Sequence, residues 1–185
     1  MGRKKVTILS AALISFLAIN MGIIASAKTS LEYLYNELSK ANPTAAQNVE
    51  KEILRLWNIS GSASIDFLYK LGGEALEAKD YNVAADHYSA VVEFAPEFAM
   101  GWYGRSRAYT LLGYHGPALK DLKKTLMINP MNFLAINSLG QILQKLGYLD
   151  TAYKAYERAL EIHPNLEAAL DYKKEIEAKL LDKKI

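Results

Sequence analysis

The apolar residues of this chain follow two patterns. From Val6 to Ala27 there is no charge at all, and apolar side chains dominate without periodicity. From Leu31 onward they recur three and four apart, the spacing that gathers them on one side of a helix. Leu31, Leu34, Tyr35 and Leu38 predict a helix over 30–41. Asn42-Pro43 ends it, because a residue before proline is pushed out of helical geometry. Val49, Ile53, Leu56 and Trp57 predict a second helix over 44–57, followed by the turn signal Asn58-Ile59-Ser60-Gly61-Ser62. A third helix is expected over 64–78, a turn at Lys79-Asp80-Tyr81, and a fourth over 82–94 that stops before Pro96. The last helix is expected over 166–181. Leu166, Ala169, Leu170 and Ile176 form its apolar side, and acids and lysines fill the rest. The elements are helical throughout, so the predicted fold class is all-α.

Between Ile65 and Pro164 the pattern repeats every 34 residues, in blocks starting at Ile65, Ala99 and Phe133 and closing on Pro96, Pro130 and Pro164. Position 4 is large (Leu68, Trp102, Ile136) and position 8 small (Gly72, Ser106, Gly140). Position 20 is always alanine (Ala84, Ala118, Ala152), and position 24 is tyrosine or leucine (Tyr88, Leu122, Tyr156). A 34-residue period with these types resembles the tetratricopeptide repeat. The third block matches best, through Ile136, Leu139, Gly140, Leu143, Ala152, Tyr156, Ala159 and Pro164. The second departs at position 7, where Arg105 replaces the usual leucine, and the first at position 11, where Ala75 replaces a bulky residue.

The resemblance implies a right-handed superhelix of stacked antiparallel helix pairs, a tetratricopeptide solenoid closed by a C-terminal capping helix. Its expected organisation is a helical pair over 28–62 read as a degenerate repeat, repeats over 63–98, 99–132 and 133–166, and a cap and tail over 167–185. Counting back 34 puts Leu34, Leu54 and Trp57 of the first pair at repeat positions, although Glu50 stands where alanine belongs. Small residues such as Gly72 and Gly140 are expected where the two helices of a repeat cross, facing Ala84 and Ala152, and alanine at 140 is expected to be tolerated. Gly113 and Gly147 are placed in turns that favour a left-handed backbone.

Composition narrows the setting. Arg3, Lys4 and Lys5 precede the uncharged run, which ends on Ala25-Ser26-Ala27, a small-x-small site. Basic start, apolar centre and small-residue end make residues 1–27 a secretory signal, cleaved after Ala27. The competing reading is an uncleaved anchor, since 22 residues can span a bilayer. Either places the body outside the cytoplasm, in the periplasm or on the inner membrane's outer face. The run Leu56-Trp57, then Ser60-Gly61-Ser62 and a repeat, is similar to exported tetratricopeptide proteins of Gram-negative bacteria. Without its first 27 residues, and so without three of its 22 basic residues, the chain has 19 bases against 20 acids, a net −1. A near-neutral body has no general attraction to nucleic acid, so none is expected as partner.

No catalytic or cofactor chemistry is legible. There is no cysteine, and the histidines at 87, 115 and 163 have no metal-ligand spacing. No phosphate-cradling glycine motif occurs; Gly101-Trp102-Tyr103-Gly104 lacks the preceding strand. The expectation is a non-enzyme without metal or cofactor. What remains is a surface. In the resembled family the concave face is lined by the first helix of each repeat. At positions 5 and 9 this assigns Tyr69, Tyr103, Arg107, Asn137 and Gln141 as candidate peptide-binding residues. Tyrosine and arginine are types that interfaces favour, and amides can bond an extended peptide backbone. The alternative for Tyr69 and Tyr103, and likewise for Trp57, is plain packing between helices. Chaperone-tail clamps of this family carry lysine and asparagine at positions 5 and 9 of the first repeat, where this chain has Tyr69 and Gly73. The functional expectation is a scaffold for a protein or peptide partner, bound in the groove. The rival is a self-associating structural or assembly subunit of the cell envelope.

Overall fold

The computed structural model describes residues 30–182, so the expected signal segment 1–27 and the tail 183–185 lie outside the described residues. Among the described residues there are nine helices and no strand. Helix α1 covers residues 30–38, followed by α2 (Pro43–Trp57), α3 (Ala63–Glu77), α4 (Tyr81–Phe94) and α5 (Ala99–Leu111). Then come α6 (His115–Ile128), α7 (Phe133–Lys145), α8 (Leu149–Ile162) and α9 (Glu167–Asp182). None of these is long and apolar enough to cross a membrane.

Helices α3 to α8 form three antiparallel pairs, α3–α4, α5–α6 and α7–α8, stacked one on the next, with α9 packed on α8 and α7. This is the all-α superhelix that the resemblance to the tetratricopeptide repeat implies. The turns inside the pairs need a left-handed residue, and Gly113 (φ 80°) and Gly147 (φ 85°) supply it. In the first pair Lys79 holds the same position at φ 65°, a conformation that costs a side-chain-bearing residue about 1–2 kcal/mol.

The side chains nearest the glycines at position 8 are the tyrosines at position 24 rather than the alanines expected opposite them. A Cβ on Gly140 would lie 2.6 Å from Cε1 of Tyr156, and one on Gly72 would lie 2.8 Å from the same atom of Tyr88. The space is reserved for the ring at position 24. In the second pair, where position 24 is Leu122, a serine fits at 106. Tyr88 is also gripped by the next pair, since a Cβ on Gly104 would reach within 2.4 Å of its Cε1.

The departure at Arg105 has a partner. Its guanidinium forms two hydrogen bonds to Asp121 on α6, at 2.8 and 2.9 Å, and a third reaches Ser89 on α4. Asp121 is buried.

Helices α1 and α2 are a pair, but they do not stack on α3 as a preceding repeat would. Asn42 caps α2 by accepting from the Ala45 N–H, and Pro43 opens it. The chain then runs along the corners that follow α6 and α8. Asn165 donates to the Ala41 carbonyl at 2.8 Å, and His163 Nε2 lies 3.3 Å from Glu50 Oε2. The Trp57 ring packs against Phe133 at 5.0 Å, tilted by 44°, and its indole N–H donates to the Tyr35 hydroxyl. Trp57, 7% exposed, is therefore core. The pair acts as a strap, running from the α8–α9 corner back to the start of the stack.

Candidate functional site

Equal positions of stacked pairs lie side by side, and residues four apart share a helix face. Tyr103 and Arg107 on α5 thereby meet Asn137 and Gln141 on α7. The four line one hollow of about 260 Å³ together with Ser106, Thr110, Leu111, Leu134 and Ser138. The fifth candidate, Tyr69, does not line it. Its ring lies between Tyr88 (5.5 Å) and Phe98 (5.4 Å), the packing role that was its alternative reading.

Arg107 is exposed, and its guanidinium sits 6.0 Å from the Tyr103 ring. Among the described residues no carboxylate lies within ion-pair distance of it. Tyr103 is 8% exposed; burial pushes its phenol up, outweighing a hydrogen bond from Ser138 and the charge of Arg107. Burial likewise raises the Tyr69 phenol, with a further rise from Tyr88 and an opposing pull from Arg107.

Asn137 is the residue with most to offer. It is 6% exposed, and its Oδ1 is buried without a hydrogen-bond partner among the described residues. A buried amide oxygen left unpaired costs about 1–3 kcal/mol. The hydroxyls near it are already engaged: Ser106 donates to the Tyr103 carbonyl at 2.6 Å and Thr110 to the Ser106 carbonyl at 2.7 Å. The hollow thus combines an unpaired cation, an unpaired amide oxygen and an apolar rim at Leu111 and Leu134. In the resembled family positions 2, 12 and 13 of the first helix also face the groove, which reaches Leu134, Thr110 and Leu111, but not Ser106 or Ser138 at positions 8 and 6.

A second hollow, of about 230 Å³, lies between α2 and the α8–α9 corner, beside His163 and Glu50. Of its polar side chains, Glu50, His163 and Asn165 make the strap contacts described above. No group of three or more acidic or histidine side chains suited to a metal ion occurs among the described residues.

Comparison with known proteins gives a consistent picture. The family model described as tetratricopeptide repeat matches residues 133–166. A TPR repeat-containing protein of Rhizobium etli is 30% identical over 141 residues, 76% of this chain and 69% of that protein. The heat shock protein STI1 of Saccharomyces cerevisiae is 33% identical over 110 residues, which span 58% of this chain but only 18% of that protein. Among solved structures, the Sgt2 TPR domain from Aspergillus fumigatus superposes with a TM-score of 0.63 at 24% identity, over 66% of this chain and 83% of that one. The first TPR of Spaghetti (RPAP3), bound to an HSP90 peptide, gives 0.61 at 26% identity, over 63% of this chain and 93% of that one.

Proposed function

Because this chain belongs to the tetratricopeptide-repeat family, we propose that it is a non-catalytic scaffold whose concave face binds an extended peptide segment of a protein partner. The observation that carries the proposal is the hollow between α5 and α7. There Asn137 has a spare buried amide oxygen and Arg107 a guanidinium with no carboxylate. An amide both donates and accepts, so it suits the N–H and C=O of a main chain. A guanidinium suits a carboxylate, which it can hold by two parallel bonds. The ligand is therefore a peptide with an acidic group beside an apolar side chain, the latter resting on Leu111 and Leu134.

Related domains bind chaperone peptides, as the HSP90-peptide complex of Spaghetti states. This chain has Tyr69 and Gly73 where the first repeat of a clamp carries its lysine and asparagine, and the Tyr69 ring is committed to packing. We propose a different acidic ligand, met outside the cytoplasm. The support for export is the basic, apolar and small-residue succession over residues 1–27.

A random-peptide display selection on the purified protein tests the reading. Enrichment of one acidic residue next to an apolar one supports it. Selected peptides without acids, or peptides that bind Arg107→Ala as tightly as the parent, contradict it.

A further inference from the structure

Among the described residues nothing covers the front face of the stack. Position 3 of each pair is where the preceding pair rests. On α5 it is Gly101, where a Cβ would come within 2.5 Å of Val91 on α4. On α7 it is Ala135 and on α9 the equivalent residue is Ala169, both 0% exposed. Three small buried residues thus mark the seat of a preceding helix. On α3 the same position is Phe67, large and 58% exposed. The strap explains why it is open, since α1 and α2 lie along the α6 and α8 corners and not in front of α3.

We infer that this face is where two copies of the chain meet, front to front across a two-fold axis. A phenylalanine cannot occupy a seat that elsewhere admits only glycine or alanine, so a further repeat in register is excluded as the occupant. Two identical faces meeting in opposite directions avoid that clash, because each ring can pass beside the other. The polar residues of the face are self-complementary. Phe67, Lys70, Leu71 and Glu74 form one stripe of α3, on which Lys70 and Glu74, of opposite sign and one turn apart, pair with each other at 3.4 Å. Antiparallel crossing of two α3 helices puts Lys70 of each copy opposite Glu74 of the other. Among the described residues the far end of the stack offers no complementary seat. The exposed residues of α9 include Glu167, Asp171, Lys174 and Glu175, a charged finish typical of a terminal cap. The contact is therefore closed and isologous rather than an open chain of stacks.

Sedimentation velocity over a concentration series tests this on the protein purified after expression of the full sequence. The parent is expected to dimerise. Phe67→Glu, with unchanged circular dichroism, is expected to weaken the dimer at least tenfold, and Lys70→Glu likewise, with recovery in Lys70→Glu/Glu74→Lys. The chain has no cysteine, so Leu71→Cys is expected to form a disulfide-linked dimer and Lys174→Cys is not. A parent that stays monomeric throughout, a Phe67→Glu variant that associates like the parent, or cross-linking through Lys174→Cys in place of Leu71→Cys overturns the inference. Arg107→Ala leaves association unchanged, which separates this face from the groove.

Discussion

The ring of Tyr156 lies over the backbone of Gly140 so closely that a methyl group at 140 would meet its Cε1 at 2.6 Å. The ring cannot swing aside easily. It stacks on Tyr172 at 5.5 Å, and its hydroxyl donates to Gln144 at 2.9 Å. Gly140→Ala gains about 1 kcal/mol of helix propensity but meets an overpacking cost of about 1–3 kcal/mol. The net expectation is destabilisation, read as a lower denaturant midpoint, contrary to the tolerance that the repeat pattern alone predicts. The second pair shows the alternative solution, Ser106 with Leu122. Gly140→Ser/Tyr156→Leu should therefore be more stable than its single variants imply by about 0.5 kcal/mol or more. Strict additivity in this cycle would mean that the two positions do not share one space.

Arg105 and Asp121 form the second testable pair. Their side chains are 18% and 5% exposed. Asp121→Ala leaves a guanidinium partly buried without its carboxylate, a change expected to cost about 3 kcal/mol, the low end for buried pairs because Arg105 keeps some solvent. The third pair carries Leu139 and Ala155 at the same positions. Arg105→Leu/Asp121→Ala copies that arrangement and is expected to recover most of the loss. A double variant no more stable than Asp121→Ala would show that the ion pair does more than fill this interface.

The tyrosines predict a loss of stability in alkali. Burial pushes the Tyr88 phenol up from 10.0 to about 12, and raises Tyr69 and Tyr156 as well. The folded state thus keeps protonated phenols that the unfolded chain gives up near pH 10. Stability from this source is complete below pH 10 and falls as pH rises towards about 12. The urea midpoint should decline over that window, and Tyr88→Phe should flatten the decline. A midpoint that does not change between pH 10 and 12 contradicts the assignment.

The superhelix was legible because its signal repeats. Three copies of one spacing define helices, turns and the residues that share a face, and the alignment of Tyr103, Arg107, Asn137 and Gln141 follows from arithmetic alone. What the pattern does not carry is the identity of the opposing surface. Trp57, Ile53 and Leu38 announce that one side of α1 and α2 is buried, but the same spacing serves a stack or a strap, and Phe133 and His163 as the receiving surface are more than 70 residues away. The partner of Arg105 is Asp121 of the same block, at a position outside the repeat pattern, and only the fold brings the two together. Gly140 and Tyr156 could have been paired from the co-occurrence of glycine with tyrosine and serine with leucine at positions 8 and 24. Asn137 reads as one more groove amide, and only packing shows that its oxygen is left without a partner.

The central claim, that the concave hollow between α5 and α7 is the binding site, is tested most directly by calorimetric titration of one display-selected acidic peptide into four proteins: the parent, Arg107→Ala, Tyr103→Ala/Arg107→Ala, and Lys120→Ala on the opposite helix of the same pair. Loss of the guanidinium is expected to weaken binding more than tenfold, about 1.4 kcal/mol, with the fold intact by circular dichroism. The double variant should weaken it further, and Lys120→Ala should bind as the parent does. Equal affinity for the parent and the double variant would contradict the claim and move the site away from the groove.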